Sequence, residues 1–202
     1  KNLSKRYVYS SSPFTGSSIE KVIYEEGSTI IIQGMFDSLS TLKEIILPNS
    51  IIDIEKNSFR SCISLTHIDI PNNVQSIGSF AFGYSGLTSI NLPENLQIIS
   101  ESLFKNCEQL TIINISNNVQ TIESSTFSGC IQIQNIKLPD QIVNINNNVF
   151  EKCYNLQELI LPKSLKYIGI EIISGCSLIK SIIIPKNLSK RYVYSSSPFT
   201  GS

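Results

Sequence analysis

The sequence predicts a mostly β solenoid built from stacked coils, and three observations predict it. Apolar residues recur at one period of 23 along most of the 202 residues. Within each period the first half alternates as a strand does and then meets Pro-Asn or a close variant, while the second half carries one large aromatic at a fixed place. No single helix or strand accounts for spacings that mix twos and threes, whereas a coil closing on itself does.

The rows run LKEIILPNSIIDIEKNSFRSCIS from Leu42, LTHIDIPNNVQSIGSFAFGYSG from Leu65 and LTSINLPENLQIISESLFKNCEQ from Leu87. LTIINISNNVQTIESSTFSGCIQ follows from Leu110, IQNIKLPDQIVNINNNVFEKCYN from Ile133 and LQELILPKSLKYIGIEIISGCSL from Leu156. Each has 23 residues except the second, which has 22, and degenerate rows start at Ile19 and Ile179. Ile45 and Leu47 alternate with outward Glu44 and Ile46, which is strand spacing. Pro48 and Asn49 stop that strand, because proline donates nothing to a ladder and asparagine favours a turn. The second half, VQSIGSFAF from Val74 to Phe82 for example, turns the chain back and drops an aromatic into the middle. One coil cannot bury its seven apolar positions alone, but stacked coils cover one another, and each buried Leu, Ile or Phe contributes about 1.5–3 kcal/mol.

The recurring LxxIxLPxxVxxIxxxxFxxC, as in LTSINLPENLQIISESLFKNC from Leu87 to Cys107, resembles the BspA-like leucine-rich repeat over roughly residues 19–185. The resemblance implies a right-handed solenoid with a parallel sheet on one face and short turns, bridges or 3₁₀ pieces on the other. It also implies extracellular or cell-surface proteins used for adhesion and matrix binding. On this reading residues 1–18 are the irregular end of a preceding repeat, 19–178 hold seven repeats, and 179–202 are an irregular last repeat.

Nothing in the sequence points to catalysis. Sixteen basic and sixteen acidic residues cancel, which argues against a nucleic-acid partner. No apolar run reaches the ~18 residues of a membrane-spanning helix, so no membrane insertion is expected. Cys107, Cys130, Cys153 and Cys176 lie 23 apart, and Cys62 shares their place in its row, with Ser85 standing in between. Free packing thiols are the expectation; adjacent coils about 4.8 Å apart leave pairing between neighbours or metal binding as the alternative. His67, the one histidine, falls on the strand surface with only Glu44 and Ser89 beside it in the adjoining rows. The Glu25–Glu26 pair reads as a solvated corner. No catalytic residue, cofactor or metal is assigned.

The outward residue at mid-strand reads Ile23, Ile46, Asp69, Asn91, Asn114, Lys137, Ile160 and Ile183 down the stack. Ile23, Ile46, Ile160 and Ile183 form a candidate contact patch, joined into one stripe if copies follow one another; strand propensity alone is the competing explanation. Asn2, Asn114 and Asn187 open Asn-x-Ser triplets and are candidate N-glycosylation sites in a secreted eukaryotic protein. Lys190, Arg191, Tyr192 and Tyr194 make a candidate recognition loop, with a tolerated insertion as the alternative: Arg191 falls where an inward Ile is expected and Phe199 comes about three residues late.

Residues 1–17, KNLSKRYVYSSSPFTGS, recur as residues 186–202. Six rows of 23, one of 22 and one of 25 account for the offset of 185. The chain begins and ends in mid-coil without a capping repeat, as expected of a window on a longer array. The expectation is a non-enzymatic structural or adhesive repeat protein, a segment of a tandem array or extracellular filament. Its partners would be itself and an extracellular protein or glycan. The alternative is a discrete surface module binding a host or matrix protein.

Overall fold

A computed structural model describes residues 12–188, 190–191 and 198–199. The structure is a β solenoid whose coils have three sides, without a helix among the described residues. The first side holds the predicted strands: Lys21–Ile23 beside Glu44–Ile46, Ser89–Asn91 beside Ile112–Asn114, and Asn135–Ile136 beside Glu158–Leu159, each pair parallel. Ile45 and Ile90 point inward from the middle of these strands and are buried. The Pro-Asn turns that end them are tied to the preceding coil by short polar side chains. Asn73 and Asn95 donate to the carbonyls of Asn49 and Asn72 at 2.8 and 2.9 Å, and Ser164 donates to Ile142 at 2.6 Å.

The face on which short turns, bridges or 3₁₀ pieces were expected carries the longest ladder. Two-residue parallel strands at Ile98–Ile99, Thr121–Ile122, Asn144–Ile145, Tyr167–Ile168 and Lys190–Arg191 form one sheet, and Ile30–Ile31, Asp53–Ile54 and Ser76–Ile77 another. The interruption between these sheets coincides with the 22-residue row, whose Thr66–Asp69 segment also leaves the first-side ladder. At the shortened corner Gly86 N–H reaches back to Cys62, whereas Thr88 N–H still bonds Thr66 as Thr111 bonds Thr88 one coil on.

The third side surrounds the aromatic. Two residues before and two after each ring from Phe36 to Phe150, and likewise around Ile173, which holds the ring place in its coil, the backbone is left-handed, with φ between 54° and 84°: Gly34 and Ser38, Asn57 and Ser61, Phe80 and Tyr84, Ser102 and Asn106, Ser125 and Gly129, Asn148 and Lys152, Glu171 and Gly175. This geometry turns the N–H groups of the ring residue and its two flanking left-handed positions toward the following coil. Phe36, Phe59 and Phe104, for example, donate to Ser58, Ala81 and Thr126 at 2.8–2.9 Å. Left-handed backbone strains side chains other than glycine and, less so, asparagine. Lys152→Gly, matching its column neighbours Gly129 and Gly175, is therefore expected to stabilise the protein by about 0.5–1.5 kcal/mol, read as a higher urea midpoint.

Inside, the rings form one column. Phe14, Phe36, Phe59, Phe82, Phe104, Phe127 and Phe150 stack with centroids 5.4–5.8 Å apart and planes within 15°. That spacing exceeds the ~4.8 Å between paired strands, so the rings are offset, the arrangement their quadrupoles favour. The column passes unbroken through the 22-residue coil, where the ladders do not.

Candidate functional surfaces

The cysteines are a second internal column. All five are buried and free, and each sulfhydryl donates to the carbonyl of the ring residue one coil earlier: Cys62 to Phe36, Cys107 to Phe82, Cys130 to Phe104, Cys153 to Phe127 and Cys176 to Phe150, at 2.9–3.2 Å. Burial pushes the Cys62 thiol up to about 12 and Cys107 up to about 11, and holds Cys130 and Cys153 well above the usual range. Thiolate chemistry is thereby suppressed. Below the unfolded-state value near 8.5 both states carry S–H, and this contribution is fully present. Above it the unfolded chain ionises first, so each such thiol is expected to remove about 1.4 kcal/mol of stability per pH unit until the folded value is passed. Urea titrations between pH 8 and 11 check this, and alkylation of the native protein should require unfolding.

His67 Nε2 lies 3.0 Å from Asp69 Oδ1, two residues along the same face, and both side chains are exposed. Asp69 is the partner that comparison of adjoining rows missed, because neighbours at i and i+2 share a strand face. Glu25 and Glu26 sit at an exposed turn. No three His, Cys, Asp or Glu side chains converge among the described residues.

On the first side, Ile23 and Ile46 are paired neighbours, 64% and 44% exposed. Ile160 and Ile183, 65% and 83% exposed, border one groove of about 330 Å³ together with Glu158, Leu178 and Lys180. Asp69, Asn91, Asn114 and Lys137 separate the two patches within this chain. Crossed ion pairs, Lys21–Glu44 at 2.9 Å and Lys43–Glu20 at 2.8 Å, flank the first patch. Exposed Ile112, in the strand before Asn114, belongs to no predicted site. Asn114 is exposed and its side-chain nitrogen donates to Asn91 at 2.6 Å; Asn187 is exposed at a turn. Asn2 lies outside the described residues.

The backbone of Lys190–Arg191 pairs with Tyr167–Ile168, setting Arg191 opposite a buried isoleucine. At these two residues the last coil continues the ladder. Tyr192 and Tyr194 lie outside the described residues. Further on, Ile172 N–H donates to the Pro198 carbonyl at 2.7 Å, and Phe199 packs against the core.

A family model for the BspA type leucine rich repeat region matches six copies over residues 8–116 and 75–199. Comparison with curated proteins gives no match. Among solved structures, a leucine-rich repeat protein from Bacteroides ovatus is 30% identical over 84% of this chain, with a TM-score of 0.80. A T. pallidum leucine rich repeat protein is 27% identical over 68%, with a TM-score of 0.64. A leucine-rich repeat protein from Eubacterium ventriosum, 23% identical over 87% with a TM-score of 0.71, shares the fold. The chain spans 44%, 64% and 47% of these proteins' lengths. With the period, the ring and thiol columns and the family model in agreement over most of its length, the chain belongs to the BspA-type leucine-rich repeat family.

Proposed function

We propose that this chain is a non-enzymatic structural or adhesive solenoid acting outside the cell or on its surface, as one segment of a tandem array of 185-residue units. The observation that carries the reading is the repeated KNLSKRYVYSSSPFTGS together with what its two phenylalanines do. Phe14 stacks on Phe36 at 5.7 Å, and Phe199 packs against the far end of the same core. The phenylalanine of each copy thus meets the core at its own end of the stack, which supports this reading. An exterior location follows from the family resemblance, and sugar on exposed Asn114 or Asn187 would accompany it in a secreted eukaryotic protein.

The second reading, a discrete module binding a host or matrix protein or glycan, is favoured by the exposed Ile160 and Ile183 beside a groove. The recognition loop of Lys190, Arg191, Tyr192 and Tyr194 would serve either. Electron microscopy of the native, untruncated material tests between them. Filaments with ~4.8 Å rungs and, for eight coils, an axial repeat near 38 Å support the array. Short monomeric arcs holding one unit overturn it in favour of the module.

A further inference from the structure

We propose that the face formed by Ser12–Ser17 is a docking surface for the last coil of a preceding copy of this unit, with the Ser17 hydroxyl donating to that copy's Ile173 carbonyl. The proposal rests on the tandem reading and adds the chemistry of the joint.

Ser17 occupies the thiol column. It stands three residues after a ring, and its N–H donates to Phe14 at 3.0 Å, as the Cys62 N–H does to Phe59 at 3.2 Å. Every cysteine in that column donates its sulfhydryl to the ring-residue carbonyl one coil earlier. Ser17 Oγ is buried and has no hydrogen-bond partner, the one such side-chain atom among the described residues. The next residue up the column is Leu39, which offers no side-chain acceptor. Ser85, the serine inside the stack, solves the same problem through the Cys107 sulfur at 3.4 Å. An acceptor for Ser17 therefore has to come from the preceding side. In a tandem copy the residue there is Ile173, which stands in the ring position of its coil.

Both halves of such a joint are present in this chain. The later copy of the phrase shows the contact with the preceding coil: Ile172 N–H donates to Pro198. The earlier copy shows the contact with the following coil. Phe14 N–H donates to the Ser12 hydroxyl at 3.1 Å, and that hydroxyl donates to Met35 at 2.7 Å, replacing the direct bond made at the other rings. The residues described in the two copies thus contact the preceding coil at Pro198 and the following coil at Ser12. The charge order agrees. Lys180 holds the row position of Glu20 and Lys43, so in a tandem copy Glu20 would lie between two lysines on the strand face. Ile183 would then adjoin Ile23, joining the two apolar patches.

The test compares Ser17→Ala in two proteins: the 202-residue chain, and a chain in which two units share one phrase, altered at the middle joint. In the single chain the hydroxyl has no partner, and its loss should leave the melting midpoint unchanged or slightly higher. At the joint, amide exchange of Phe36 and of the preceding unit's Ile172 should accelerate by roughly 5-fold, with Ser17→Cys retaining protection as the column's own residue does. Unchanged exchange at the joint, or two units that scatter as independently oriented bodies, overturns the proposal. The tandem reading fails separately, if the native protein holds a single unit whatever the two-unit chain does.

Discussion

Phe104→Ala is expected to destabilise the protein by about 3–5 kcal/mol, the range for truncating a fully enclosed aromatic. Phe104 has no exposed surface and stacks on Phe82 at 5.8 Å and Phe127 at 5.7 Å. Alanine removes both contacts and leaves a void that ladder bonds on either side keep from collapsing. Phe14→Ala should cost clearly less, because that ring is only partly buried and its one stacked neighbour is Phe36. Equilibrium urea unfolding measures both. A cost below about 1 kcal/mol for Phe104→Ala would show that the ring column is not the mainstay of the stack.

Gly86→Ala should be nearly as damaging, about 2–4 kcal/mol, although it adds a single methyl group. A Cβ there would stand 2.0 Å from the Ile63 carbonyl oxygen and 2.8 Å from its carbon, both backbone atoms. Gly86 sits where the preceding coil spends two residues, Ile63 and Ser64, before the buried leucine of the next row. The clash belongs to the shortened coil. Replacing Gly86 by an Ile-Ser pair restores 23 residues and should be tolerated better than alanine, judged by the same unfolding curves. The reverse order would mean that the short row is needed for some reason other than this approach.

The core could be read from the sequence almost residue by residue. Leu42, Ile45, Ile51, Ile54, Phe59 and Cys62 are all buried, as are Leu110, Val119, Ile122, Phe127 and Cys130 one phase along. Leu47, Ile113 and Ile115 are only partly buried. The left-handed pairs around each ring were missed, although Gly34, Asn57, Asn106, Gly129, Asn148 and Gly175 spelled out the two columns. Phe80, Tyr84, Lys152 and Glu171 at the same places hid the signal, since neighbouring coils hold them in a conformation their side chains disfavour. Among candidate surface residues, the column alternation placed Ile23, Ile46, Ile160 and Ile183 on the outside. It carried no information about the Asp69 partner of His67 or the hydroxyl of Ser17.

By itself the sequence determined the period, the inward set and the columns of rings and thiols. Partition of apolar side chains away from water leaves its mark on residue type wherever burial repeats. Only the tertiary structure decided the second ladder, the strand break at the short coil and the polarity of the ring side. Those depend on which N–H meets which carbonyl about 23 residues away, and every residue but proline carries the same backbone groups.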